Sequence, residues 1–401
     1  MNQSAGHVYD LERLTTWFTE TALPFWATTG FDSANGHFVE CLALDGTPEL
    51  SGQLRTRSAA RQIYVFAQST CLGVAPHDGL EKAETAFANL RKCAWVTGER
   101  PGYARAFNRF SGQIIDPSRD LYDHACVLLA LAWLLKATSK EIYRVHITET
   151  LHAIDTTLNA DHAGWAEDSE STLPRRQNPH MHFFEACLAL VEVTGDPAHV
   201  ARAGELFGLF KSHFYDSSAQ VLREYFGPAW EVNDTYGSGK LDPGHMAEWV
   251  WLLRRYEAFA SAGVDVYCEK LLHAAQTLGT DPESCFLVDE VSAGGLILKS
   301  SRRLWPQAEF IKALIAQSRA TGEISYMDHA NRVGKELFRT YLANTPTAGT
   351  WRDCFDLRGS PNATIIPSSS NYHLWTAVAE LLTLPPVDLS PLNSASCSHL
   401  G

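Results

Sequence analysis

Three segments far apart in the chain read alike: turn-forming polar residues, a histidine, then an apolar helical stretch. They are Asn178-Pro-His-Met-His182, Asp242-Pro-Gly-His245-Met-Ala-Glu248 and Pro367-Ser-Ser-Ser-Asn-Tyr-His373. Proline, glycine and serine ahead of an apolar periodic run mark helix starts. Each imidazole is therefore expected near a helix N-terminus, at a layer edge where a pocket forms. The unperturbed histidine pKa lies close to neutral pH, so converging copies point to proton transfer and hence to an enzyme.

Within the second segment His245, Glu248 and Trp251 are spaced i, i+3, i+6, a drifting row on one side of a helix. A carboxylate beside an imidazole holds its orientation and supports its protonated form. A half zinc motif is the rival reading. His-Glu-x-x-His is absent and nothing nearby completes a metal triad, so no metal is expected. In Arg302-Arg-Leu-Trp-Pro-Gln-Ala-Glu309, Trp305 and Glu309 stand one turn apart, an indole face and a carboxylate such as a sugar uses. Core packing is the commoner role for any single such pair, and the same weighing applies to Trp165/Glu167 and Trp351/Asp353. Arg57 and Arg61 form either a solvated face or donors aimed at hydroxyls and a developing enolate. Tyr122 and His124 line a pocket or pack at an interface.

The elements that must position these groups are helical. Periodicity predicts helices near 8–23, 55–72, 77–97, 119–137, 141–158, 179–194, 197–213, 243–260, 264–279, 302–318, 326–343 and 371–384. The links between them alternate between short ones (194–196, 261–264) and long ones rich in Trp, Gly and Asp (159–176, 215–241, 345–370). Six helical hairpins with the long loops on one side suggest an all-α, (α/α)6 barrel around a central pocket. Short hairpins are expected at 220–225 and 286–289. Residues 1–384 read as one catalytic domain, and the Ser/Pro/Asn-rich stretch 385–401 as a loosely ordered tail.

Composition narrows the class. With 45% hydrophobic residues, the 401-residue chain can bury a large core. A net charge of −13, with basic runs such as Arg302-Arg303 and Arg254-Arg255 too short for a phosphate-binding stripe, argues against nucleic acid. The nine cysteines lack a C-x-x-C pair and suit a reducing compartment. No signal peptide or membrane-length run is apparent, so a cytoplasmic location is expected, with no membrane partner. A homo-oligomer is compatible with the sequence. Phosphate loops, dinucleotide fingerprints and a nucleophile elbow are not found.

Taken together, Arg57, Asn178-x-x-x-His182-x-x-Glu185-Ala, Gly244-His245-x-x-Glu248-Trp-x-Trp251, Arg303-Leu-Trp305-Pro-Gln-x-Glu309 and Pro367-x-Ser-Ser-x-Tyr-His373 resemble the N-acylglucosamine 2-epimerase superfamily. Within it the chain looks closest to mannose and sulfoquinovose isomerases. The resemblance implies an (α/α)6 barrel, His245 and His373 as the catalytic acid/base pair, and Arg57, Asn178, His182, Glu248, Trp251, Trp305 and Glu309 at the sugar. In particular it implies that Glu248 orients His245. His180 receives no role. Disaccharide epimerases carry a tryptophan five residues before the last histidine; Ser368 stands there, which implies a monosaccharide. The expected reaction is a cofactor-free conversion of D-mannose to D-fructose, or D-lyxose to D-xylulose, through a cis-enediol(ate). Monosaccharide 2-epimerisation is the alternative. A glycoside hydrolase on the same barrel or a non-catalytic helical scaffold are more distant readings.

Overall fold

Two kinds of helix alternate along the chain, which the computed structural model describes for residues 8–383 apart from 50, 282 and 283. The first rod is α1 (Val8–Trp17), a π turn at Phe18–Ala22 and α2 (Leu23–Thr28). Three hairpins follow: α3 (Thr56–Cys71) with α4 (Gly79–Ala94), α5 (Leu121–Thr138) with α6 (Glu141–Thr157), and α7 (Gln177–Thr194) with α8 (Pro197–Leu209). Next come α9 (Pro243–Glu257) with α10 (Asp265–Gly279), α11 (Leu304–Thr321) with α12 (Ile324–Leu337), and finally α13 (Ser369–Leu382).

Burial separates the two kinds. Helix α5 is buried on nearly every side, whereas α12 buries only the stripe Ala330, Asn331, Val333, Gly334 and Leu337. A helix apolar all round belongs inside, and one with a single stripe belongs on an outer layer. Helices α3, α5, α7, α9, α11 and α13 accordingly form an inner ring that closes where α13 meets α3, with the other rods outside it. This is the expected (α/α)6 barrel. By length and composition α5 would cross a membrane, but 78% of it is buried inside the protein, as befits an inner-ring helix.

Link geometry decides where the chemistry gathers. Passage from an inner to an outer helix is abrupt: α7 and α11 end at Gly195 and Gly322, both left-handed (φ 67° and 75°). Glycine adopts that cap without a Cβ clash. Return from outer to inner is long at every turn, so all inner helices begin on the side where the long links lie. Aspartates fix two of these starts: Asp120 caps α5 through Tyr122 N, and Asp242 caps α9 through Gly244 N.

The long links carry more strand than the sequence suggested. A hairpin of Gly102–Asn108 with Ile114–Arg119 occupies a region given no element, and Gln53–Arg55 joins its edge. Segment 220–225 is not a hairpin by itself. Val221–Leu222 pairs with Tyr215–Asp216, while Tyr225–Phe226 pairs with Arg175–Arg176, directly ahead of α7. The hairpin expected at 286–289 lies further on, between Glu290–Ser292 and Ile297–Lys299. Pairs of two or three residues are stabilised by the helices beneath them rather than by their own alternation, which is why sequence pattern misplaces them. The tail expected at 385–401 lies outside the described residues.

The eight described cysteines are free. Tryptophan mostly serves packing: Trp26, Trp249, Trp351 and Trp375 are fully buried, and Trp26 stacks on Trp351 at 5.0 Å.

Candidate active site

At the N-terminal end of the inner ring lies a cavity of about 320 Å³, near the lower limit of ligand pockets. Its lining includes Arg61, Tyr122, Asn178, His182, His245, Glu248, Trp305 and His373. The three histidines therefore converge. They stand at the third residue of α9 and within the first turns of α7 and α13, all of which start at this end.

His245 places Nδ1 2.9 Å from Glu224 Oε2 and 3.9 Å from Asp242 Oδ2. Burial opposes charge on the ring, but Glu224 and then Asp242 outweigh it and raise the pKa to about 9. Its Nε2 is 2.8 Å from the Asn178 amide nitrogen. With the amide turned over, Oδ1, which has no other partner among the described residues, would accept from a protonated Nε2.

His373 repeats the arrangement with a different outcome. Its Nδ1 lies 2.7 Å from Glu309 Oε1, yet Glu309 Oε2 is held at 2.7 Å by the buried Lys312 ammonium. Burial, then Arg61 and Lys312, push the His373 pKa well below the usual value. Nδ1 bonded to Glu309 leaves Nε2 as the unprotonated nitrogen, with no partner among the described residues. The Trp305 indole touches both rings, with centroids 5.1 Å from His245 and 5.3 Å from His373.

His182 is held from every side. Its ring stacks on Tyr122 at 4.4 Å, Nδ1 meets Glu185 Oε2 at 3.1 Å, and Nε2 lies 3.4 Å from Arg61 Nη2. Burial lowers its pKa to about 4, Glu185 opposing and Arg61 assisting. Tyr372 donates to Glu185 at 2.5 Å, tying α13 to α7. Glu248 faces the cavity with neither oxygen hydrogen-bonded among the described residues. Burial and then Glu309 raise its pKa.

Four sequence expectations need correction. Glu224, not Glu248, lies against His245 Nδ1; Glu248 is nearest His182, at 3.9 Å from Nδ1. Glu309 does not line the cavity; it is fully buried behind His373. Trp251 sits two turns deeper along α9 than His245, bonded to Glu380 and stacked under Lys312. Arg57 turns away to Asp123 at 3.1 Å and lines a neighbouring cleft with Arg105 and Arg176, while Arg61, one turn on, enters the cavity. The two uncertain histidines are structural. His180 accepts from Trp165 N and His124 from Tyr103 N, and each holds Nδ1 on a backbone carbonyl. Trp165 and Trp351 pack in the core, with Glu167 on Arg176 and Asp353 on Ser370.

Glu224 and Lys312 were not anticipated. Glu224 arrives because Tyr225–Phe226 pairs with Arg175–Arg176, and Gln177 binds both its carbonyl and its carboxylate. The one sequence signal for Glu224 is a carboxylate inside an apolar strand-like run. The groups His182/Glu185/Glu248 and Glu248/Glu309/His373 bring ligand-type atoms within 4.8 Å of one another. Their imidazole nitrogens are already bonded to the carboxylates, and the Lys312 and Arg61 cations stand against the same atoms, an environment unfavourable to a dication.

Comparison with known proteins is decisive about kinship. The family model of N-acylglucosamine 2-epimerase matches residues 36–377. The chain belongs to that family. It is 33% identical over 376 residues to a mannose-6-phosphate isomerase of Rhizobium meliloti (strain 1021), covering 92% of this chain and 95% of the relative. It is 25% identical over 311 residues to a D-mannose isomerase of Thermobifida fusca, covering 72% and 75%. Among solved structures, a sugar epimerase from a ruminal bacterium superposes with a TM-score of 0.82 at 18% identity, over 93% of this chain and 98% of that one. The protein is a sugar isomerase or epimerase of this family.

Proposed function

We propose that this protein interconverts an aldose and its ketose, D-mannose and D-fructose first among candidates, by histidine acid/base catalysis on the free monosaccharide. One observation carries the reading: two imidazoles on a single indole are backed by different charges, His245 by Glu224 and Asp242, which raise its pKa, and His373 by Glu309 countered by Lys312, with its pKa lowered. Environments that push two titratable groups apart assign acid and base.

In the proposed reaction His245 protonates the ring oxygen as the sugar opens and recovers a proton from the O1 hydroxyl, which becomes the aldehyde. His182 suits that step less, because its lowered pKa leaves it neutral and Nε2 faces the Arg61 donor. His373 Nε2 then removes the proton from C2, the C–H electrons form the C1–C2 double bond, and O1 takes a proton from His245. Arg61, in place of the expected Arg57, stands where a donor would meet the developing enediolate charge. His373 returns its proton to C1, and neutral His245 recovers one from the O2 hydroxyl, which becomes the ketone. Trp305 offers the apolar face of the sugar a stacking surface, and Asn178 and Glu248 offer hydrogen bonds.

The names of two relatives support mannose as the carbon skeleton. One of them is named for a 6-phosphate, but Arg303, the arginine of this cavity not assigned to the enediolate, is paired with Asp289 at 2.9 Å. Asp242 shares the lining, which favours a neutral sugar. Reprotonation of C2 by His245 from the opposite face would give 2-epimerisation, and the pair on Trp305 serves that reading as well.

Incubation with mannose in D₂O, followed by NMR, separates these outcomes. Fructose as the first product supports the isomerase, and glucose first supports the epimerase. Turnover of mannose 6-phosphate in preference to mannose would overturn the neutral-sugar assignment, and loss of activity in EDTA would overturn the metal-free route.

A further inference from the structure

A second and larger concavity lies on the outer wall, away from the histidines, with a volume of about 830 Å³. It is bounded by one face of α12, the π turn Phe338–Leu342, the loop to residue 361 and residues 284–286. Six cationic side chains line it, namely Arg302, Arg332, Lys335, Arg339, Arg352 and Arg358, against one described acid, Glu336. On a chain of net charge −13 this is a local reversal of sign.

The commitments of these cations differ. Arg302 is buried and fixed by Asp281, Ser284 and the Asp356 carbonyl, so it forms part of the wall. Arg352 spends its donors on the Asn344 carbonyl, and Arg339 pairs with Glu336. Arg332, Lys335 and Arg358 form no ion pair and no side-chain hydrogen bond among the described residues, although they face the same space. Like charges gathered without counter-charge repel one another, and a multiply charged anion relieves that repulsion. Guanidinium groups match phosphate oxygens in pairs. The floor is apolar, with Phe286, Phe355, Leu357 and Pro361, and so can cover carbon as well as charge.

We propose that this groove binds a small ligand carrying more than one phosphate group, held by Arg332, Lys335 and Arg358 and lying across Phe355 and Leu357. The site is independent of the sugar reading. It nevertheless shares a wall with the catalytic cavity, because consecutive residues of one strand face opposite ways: Arg302 lines the groove and Arg303 the cavity.

Calorimetric titration of the full chain at low ionic strength with inorganic pyrophosphate and, separately, with a hexose bisphosphate tests the proposal. Saturable binding of about one equivalent is expected, with the bisphosphate tighter if the apolar floor contributes. The triple variant R332Q/K335Q/R358Q should weaken binding at least about tenfold for each cation–phosphate pairing it removes, with thermal unfolding and mannose turnover unchanged. These three side chains lie on the surface, so the variant is expected to fold. Absence of saturable binding, or undiminished binding by the triple variant, would overturn the site. Equal affinity for the two probes would overturn the role of the floor.

Discussion

His245 and His373 occupy comparable places against one tryptophan, Trp305. Each stands near the start of an inner helix, is buried, and presents Nδ1 to a glutamate, at 2.9 Å and 2.7 Å respectively. Their protonation nevertheless differs. The glutamate behind His245 is joined by a second acid, Asp242, whereas the one behind His373 is countered by Lys312, with Arg61 nearby. A carboxylate on an imidazole therefore does not by itself make a cationic histidine. The charge one residue further back decides, because in a poorly screened interior that charge is felt at the ring.

The largest effect should come from removing either ring. His373→Ala and His245→Ala are each expected to lower kcat by about 10²- to 10⁴-fold with little change in thermal unfolding. Full turnover in both would end the comparison altogether. Next in size, Arg61→Met should reduce kcat/KM by about 10²-fold, as loss of one donor to a developing oxyanion does. Arg57→Met is the control. Its expected signature is a lower melting temperature, since Asp123 is buried against it, with kcat/KM nearly retained. The reverse order for the two arginines would restore the sequence-based assignment.

Two finer tests address the asymmetry itself. The proposed mechanism needs His245 protonated, a state lost as pH rises through about 9, and His373 neutral, a state lost only when pH falls below its depressed pKa. The kcat/KM profile should therefore stay flat through neutrality and fall on the alkaline side near pH 9. Glu224→Gln removes the charge that sustains the His245 cation and should move that alkaline limb to lower pH. Glu309→Gln keeps an acceptor for Nδ1–H and should lower kcat while leaving the alkaline limb in place. Equal displacement of the limb by both variants would show that the two glutamates are interchangeable.

Much of the architecture was legible because it depends on local periodicity. The twelve rods of the described residues are visible in the spacing of apolar residues, and Gly195-Asp196-Pro197 marks an inner-to-outer turn as it stands. Convergence of the histidine segments was legible too, since alternating long and short links put all inner helix starts at one end. Strand pairs such as Tyr225–Phe226 with Arg175–Arg176 were not, because two-residue ladders exist only where packed helices hold them. The expectation that Glu248 orients His245 failed for a related reason: three residues apart on a helix brings side chains near, but the surrounding ring sets which neighbour each meets. The outer groove shows the same limit more plainly. Arg302-Arg303 is no basic stripe in sequence, yet the fold divides the pair between two cavities and adds Arg332, Lys335 and Arg358 to one of them.

By itself, then, the sequence determined the helices, their alternation between layers, and the end of the ring at which imidazole and indole gather, all consequences of side-chain spacing over a few turns. Tertiary structure alone decided which charges stand behind each histidine, which arginine faces the histidine-lined cavity, and where scattered cations become a groove. Those properties depend on through-space distances between residues such as 224 and 245 or 312 and 309, and on how far burial strips water from them.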